Sequence, residues 1–181
     1  MNKFREAKFM SGFTLVEIMI VVAIIALLAA IAIPNVLRGR TTANETASIG
    51  NMRAMVSSFE MYRSVNNVYP AQASYQTDMY PAGGVPAFGP PSFNIALTPG
   101  PAAVQGFNYT YNSLPAGCID GPPGTCTQYR LLAVPVTLNQ TGTRSFWVNE
   151  TGTIRHCTGT GTIANGGTWN TIDAAPTNPC T

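Results

Sequence analysis

Lysine is almost missing from this chain. Only Lys3 and Lys8 occur in 181 residues, and histidine occurs once, at His156. With no lysine beyond residue 8, a Schiff-base lysine is excluded there. Gly159 and Gly161 imitate a glycine-rich phosphate loop, but no phosphate-binding lysine follows them. No G-x-S-x-G elbow is present. His156 lies at an expected strand end beside Cys157, where it reads as a core or surface residue rather than a general base. Asp78, Asp120, Glu150 and Asp173 are scattered, so no alternating acidic calcium loop is seen. The cysteines lack a paired C-x-x-C, which argues against zinc. Charged residues make up only 10% of the chain. No catalytic residue, no cofactor and no metal site is expected, and the chain does not read as an enzyme.

What the chain does have is one long apolar run. From Phe13 to Ile33 the only polar side chains are Thr14 and Glu17. As a helix, residues 13–33 would span about 31 Å, the thickness of a bilayer core. A charge inside such a segment costs about 2.5–3.5 kcal/mol on insertion scales, so Glu17 needs a partner or a purpose. A secretory signal peptide would use the basic start (Lys3, Arg5, Lys8) and Ala30-Ile31-Ala32 as a cleavage site. That run is longer than such segments have, and it contains a carboxylate. A plain single-span anchor explains the length but leaves Glu17 idle.

A third reading has the anchor cut between Gly12 and Phe13, and the residues favour it. The basic start should stay cytoplasmic. Cleavage would expose an α-amine on Phe13, protonated at neutral pH because such amines titrate near about 8. Glu17 lies one helical turn away. In a bundle of parallel helices, a modest stagger sets one subunit's Glu17 beside the next subunit's Phe13 amine, and each neutralises the other. Cleavage would also leave seven basic and seven acidic residues, with no basic patch for nucleic acid.

Here the sequence resembles the type IV pilins and the pseudopilins of type II secretion. Gly12-Phe13-Thr14-Leu15-Val16-Glu17, the run Ile18 to Ile33, and Pro34-Asn35 carry the resemblance, which is strong over about residues 9–70. It implies that a prepilin peptidase cuts after Gly12 and N-methylates Phe13, that Glu17 supports assembly, and that Pro34 kinks the helix. Implied partners are copies of the same chain in a helical homopolymer, the peptidase, an assembly platform with its ATPase, and the inner membrane before assembly. The implied location is a single pass through the inner membrane with a periplasmic C-terminal domain, then an extracellular pilus. The alternative is a pseudopilin of a periplasmic pseudopilus. The Met61 to Pro70 segment, with Tyr69-Pro70, resembles the helix end of the major pseudopilins, whereas the long variable loop and two expected disulfides lean toward a surface pilus. A membrane-tethered binding module whose anchor is never processed is a third reading.

The expected fold is α+β, a long kinked N-terminal helix on a small antiparallel sheet, which the resemblance makes the ladle shape of the pilins. The expected organisation is a leader (residues 1–12), a transmembrane or filament-core helix (13–34), an amphipathic helix half (35–67), a connecting loop (68–104), and a sheet with a pinned tail (105–181). Proline at position 34 should kink the helix. Ile49, Met52, Val56 and Phe59, with Met55, form a stripe that should pack on the sheet, while Asn51, Ser58, Glu60 and Arg63 suggest wetter positions. The helix should end near Asn66-Asn67. Residues 71–104 read as irregular, broken by Pro81, Pro86, Pro90, Pro91, Pro99 and Pro101 with Gly83, Gly84, Gly89 and Gly100.

Strands are expected where Phe107, Tyr109 and Tyr111 alternate with polar residues, over Tyr129 to Leu138, and in a hairpin of Arg144 to Asn149 with Thr153 to His156. Cys118, Cys126, Cys157 and Cys180 all follow the anchor, on the oxidising side, so disulfides are the default. Three pairings can be drawn. The nearest-neighbour set, Cys118–Cys126 and Cys157–Cys180, is expected, each worth about 2.5–3.5 kcal/mol in a loop-entropy account.

Overall fold

A computed structural model describes residues 12–82, 87–95, 97, 103–119, 124–164, 166–172 and 179–180. Outside this set lie the basic start of the leader, Pro86, Pro99, Pro101, Gly83, Gly84, Gly100, Asp120 and Asp173. The chain divides into two compact units, residues 1–38 and 39–181. The fold is α+β, with one long N-terminal helix and a six-stranded antiparallel sheet among the described residues.

Helix α1 runs Leu15–Asn66 and stays helical through Pro34. The proline ring removes one backbone donor there. Next to it, the Asn35 amide donates to the Ile31 carbonyl at 3.0 Å, an extra bond in the same turn. In the first unit the helix is apolar all round and its large side chains are exposed, from Leu15 (74%) to Leu37 (57%).

In the second unit the helix has one apolar stripe. Met52, Met55, Phe59 and Tyr62 are buried on it. They meet one face of the sheet, which is a simple meander in the order β1 (Ala103–Val104), β2 (Phe107–Leu114), β3 (Gln128–Pro135), β4 (Arg144–Asn149), β5 (Arg155–Thr158), β6 (Asn170–Thr171). Along β2, burial alternates strictly, as a strand with one face on a core requires. Register carries the buried face across the sheet: Tyr111 opposes Leu131, Leu131 opposes Val148, and Phe146 opposes His156. Phe59 is the hub. Its ring lies 4.7 Å from that of Tyr129 and 4.9 Å from that of Tyr111, centre to centre.

The other face carries a smaller cluster of Leu132, Trp147, Cys157 and Trp169. Trp147 lies flat against Gly166, where a Cβ would sit 1.9 Å from the indole, so only glycine fits. Cys118 is bonded to Cys126 and Cys157 to Cys180, with Cα–Cα distances of 5.1 and 5.0 Å.

Several boundaries differ from the sequence reading. Strand β3 stops at Pro135, because the chain soon turns where the Thr141 amide donates to the Thr137 carbonyl at 2.9 Å, and β5 begins at Arg155 rather than Thr153. The segment after the helix is less irregular than its prolines and glycines suggest. Helix α2 (Tyr75–Met79) and a 3₁₀ turn (Pro91–Phe93) form within it, and Tyr75, Met79, Phe93 and Leu97 enter the main core. Ser58 is buried rather than wet, its hydroxyl donating to the Ala54 carbonyl at 2.8 Å. In the C-terminal tail, β6 and a bridge between Thr158 and Pro179 extend the sheet edge.

The helix ends where Asn67 takes a left-handed φ of 61°, a conformation asparagine tolerates at this position. The chain then leaves through Tyr69-Pro70. The Tyr69 hydroxyl donates to Glu60 at 2.6 Å and accepts from Arg63 at 3.0 Å, while Tyr111 donates to the Pro70 carbonyl at 2.7 Å. Burial, then Glu60, pushes the Tyr69 phenol up to about 12, so it remains a donor.

One buried carboxylate clasps helix to sheet. Glu45 is 6% exposed. One of its oxygens accepts from the Thr143 amide and hydroxyl, both at 2.7 Å; the other accepts from Arg144 Nε at 2.8 Å and Nη2 at 2.7 Å. Burial pushes this carboxyl up, but the Thr143 and Arg144 bonds outweigh it and hold the group below its ordinary value. A group depressed in the native state contributes stability that is complete above the ordinary carboxylate pKa and is lost as pH falls through the native one. Glu45→Gln should therefore lower stability at pH 7 and flatten the acid limb of an unfolding titration below about pH 4.5. Phe59→Ala should cost about 3–5 kcal/mol in denaturant unfolding, because it empties the centre of the aromatic core.

Candidate functional site

The residues singled out for processing and assembly lie together at the start of α1. Gly12, Phe13 and Thr14 are non-helical and exposed, and the helix begins at Leu15. The Gly12–Phe13 bond thus sits in an open, irregular stretch, with Phe13 84% exposed. A Cβ added at Gly12 would meet nothing within 4 Å. The fold itself has no steric need for glycine at this position.

Thr14 and Glu17 close the helix start by a reciprocal pair of bonds. The Glu17 amide donates to the Thr14 hydroxyl oxygen at 3.2 Å, and the Thr14 amide donates back to Glu17 Oε2 at 2.8 Å. The Thr14 hydroxyl also donates to Oε2, at 2.8 Å. This is a capping box, in which two helix-end amides that lack backbone partners are satisfied by side chains. Its sequence signal is Thr-x-x-Glu ahead of an apolar run, Thr14 to Glu17. Reading Glu17 only as a charge in need of a partner overlooked Thr14.

The box accounts for how Glu17 is tolerated in a helix otherwise apolar for about its first five turns. Both Thr14 bonds fall on Oε2. The carboxylate also borders a shallow apolar cleft of about 320 Å³ with Phe13, Ile18, Ile20 and Val21. Phe13 and Ile18 stand at the two positions that form a hydrophobic staple around a cap. All residues of the cap lie after Gly12, so a cut at Gly12–Phe13 would leave it whole.

The other marked residues lie elsewhere. Pro34 is inside α1, and the four cysteines are in the second unit, two by two. Among the described residues, no group of three or more His, Cys, Asp or Glu side chains could hold a metal. His156 is 1% exposed, at the back of the sheet's helix-facing side, with no acid or nucleophile hydrogen-bonded to it.

Comparison with known proteins agrees on the class of this N-terminal segment. Residues 8–33 match the prokaryotic N-terminal methylation motif. The curated relatives that the chain resembles include a type IV pilus component and a type II secretion component. Over 65 residues the chain is 50% identical to the type IV wide pilus major component PilA4 of Thermus thermophilus, covering 36% of this chain and 47% of that one. Over 61 residues it is 41% identical to the type II secretion system core protein G of Pseudomonas aeruginosa, covering 34% and 43%. Over 70 residues it is 36% identical to the same component of Vibrio cholerae, covering 39% and 46%. The chain spans less than half the length of these curated relatives. No solved structure matches it.

Thr14→Ala should remove the cap and leave Glu17 without its local partners. In detergent micelles, amide exchange at Leu15 to Glu17 should then quicken, while Thr14→Ser keeps the native rate. Equal exchange in all three chains would show that the box holds nothing.

Proposed function

We propose that this chain is a structural subunit of a type IV pilus filament. The observation that carries this reading is the N-terminal methylation segment itself: an open Gly12–Phe13 bond, then a capped carboxylate, then an apolar helix with no partner inside the subunit. Glycine at position 12 answers no demand of the fold, which supports an external reader, the prepilin peptidase. That enzyme cuts there and methylates the new Phe13 amine. The amine of one subunit meets Glu17 of its neighbour. Glu17 is pre-oriented by Thr14, whose bonds occupy Oε2.

Assembly follows from apolar surface. Side chains from Leu15 to Leu37 are exposed in the subunit. Lipid covers them before assembly, and the helices of other copies cover them in the filament. Each large apolar side chain is worth about 1.5–3 kcal/mol when kept from water, so the transfer must run from lipid to bundle without exposure. An assembly platform and ATPase supply that work. The subunit waits as a single-pass inner-membrane protein with its second unit periplasmic, and is then extruded to the cell surface.

A second reading is a pseudopilin of a type II secretion system, building a periplasmic pseudopilus. The similarity to core protein G of two organisms favours it, as does the resemblance of the Met61 to Pro70 segment to the helix end of the major pseudopilins.

Intact mass with N-terminal sequencing, on both the sheared surface fraction and the inner membrane, tests these readings. Abundant chain beginning at methylated Phe13 in the sheared fraction is expected for a pilus. The same processed chain confined to the membrane supports the pseudopilin. A chain beginning at Met1, or just after Ala32, overturns both. Glu17→Ala should leave membrane insertion intact and cut filament yield strongly; normal yield would remove Glu17 from the assembly mechanism.

A further inference from the structure

Among the described residues, three buried side chains of the second unit have a polar atom with no hydrogen-bond partner, Tyr129, Trp169 and His156, and His156 is the one with two such atoms. It is 1% exposed, and neither ring nitrogen has a hydrogen-bond partner. A neutral imidazole carries one donor and one acceptor, and leaving both unmet in a core is costly. A phenylalanine, like its cross-strand neighbour Phe146, would carry no such cost. The chain holds a single histidine, and register sets it opposite Phe146 and diagonal to Arg144, which opposes Thr158 and bonds Glu45.

The charged groups around it are few. From α1 come Glu45 and, at the cleft it lines with Ile154 and Thr171, Arg53; from β4 comes Arg144, whose guanidinium lies 5.5 Å from the centre of the Phe146 ring. On its own strand, Arg155 belongs to the opposite face, paired in register with Thr171 and donating to the Trp169 carbonyl at 2.9 Å. The neighbouring strand β6, Asn170–Thr171, brings no titratable side chain. The 3₁₀ turn Gly166–Thr168 brings none either.

We propose that His156 is a proton-operated release for the Glu45 clasp: proton uptake on the imidazole opens the contacts that hold α1 to the start of β4. The balance of bonds gives the reason. Glu45 accepts four hydrogen bonds, two on each oxygen, from Thr143 and Arg144. An imidazolium there adds a cation diagonal to Arg144 and has no hydrogen-bond acceptor among the described residues. Glu45 can neutralise that cation only by giving up bonds to Thr143 or Arg144. The adjacent tie from the Asn44 amide to the Thr141 carbonyl, 3.0 Å long, sits on the same helix turn and loosens with it.

The direction agrees. Burial, then the Arg144 guanidinium, holds the imidazole below its ordinary value, with Glu45 pulling the other way. The open state therefore takes the proton first. The clasp is fully favoured above about pH 6.5, the ordinary histidine value, and weakens as pH falls below it, by up to about tenfold per pH unit until the native value is reached. Glu45 itself is held below the ordinary carboxylate value, so its own titration lies under this window. This device is a property of the second unit and does not depend on the filament reading.

The test uses the full chain in detergent micelles with isotope-labelled histidine, where one imidazole gives one titration curve. Expected is a midpoint below 6.5. The Thr143 amide, which donates to Glu45, should lose protection against exchange between pH 6.5 and 5 by up to about tenfold per unit. In His156→Gln that loss should vanish, and His156→Phe serves if the glutamine chain does not fold. An imidazole titrating at or above 6.5 overturns the proposal. So does Thr143 protection that ignores pH in the native chain, or that falls equally in the variants. If neither variant folds, the native titration and exchange curves decide alone.

Discussion

Everything in the second unit depends on one contact, the apolar stripe of α1 laid against the aromatic face of the sheet. Met52, Met55 and Phe59 are wholly buried, and they meet Tyr109, Tyr111, Tyr129, Phe146 and Val148. A short meander of six strands, two of them only two residues long, has too little area to be stable alone. The helix supplies the missing layer. The segment between helix and sheet then folds over the open end with Tyr75, Met79 and Phe93. In the first unit the large apolar side chains of the same helix are exposed on every side. One continuous helix thus meets two different needs, because its sequence changes from apolar all round to apolar along one stripe.

Three ionisable groups in apolar surroundings are handled in three ways. Glu17 is held by its own helix end, through Thr14, and keeps one oxygen clear of those bonds. Glu45 is fully paired, with both oxygens doubly bonded to β4 and the residue before it. His156 is buried with neither nitrogen satisfied. A paired carboxylate fixes one arrangement, whereas an unpaired imidazole leaves the arrangement open to protons. The cap lets the Glu17 carboxylate sit in an apolar segment with its helix-end bonds met, while Oε1 stays clear of them.

Much of this was legible in the residues. The long apolar run, the stripe at Met52, Met55 and Phe59, and the alternation along Phe107 to Leu114 are periodic signals of the kind that burial imposes locally. The helix end at Asn66, before the left-handed Asn67, also follows from local backbone preference. Other features had no local signal. Tyr75, Met79 and Phe93 sit among prolines and glycines, and nothing near them in sequence says that they reach a core. Strand β6 is two residues long and exists because β5 offers it an edge. Ser58 looks like a surface residue until its hydroxyl finds the Ala54 carbonyl.

By itself the sequence determined the apolar N-terminal helix, the methylation-motif match over residues 8–33, the Thr14–Glu17 pair and the kind of elements that follow. These depend on neighbours within one or two helical turns, so composition and spacing carry them. Only the tertiary structure decided that Glu45 closes on Thr143 and Arg144, some 98 and 99 positions away, and that His156 comes to rest unpartnered beside them. Charge and burial at those residues come from segments far apart in the chain, and no local pattern encodes where a distant strand will lie.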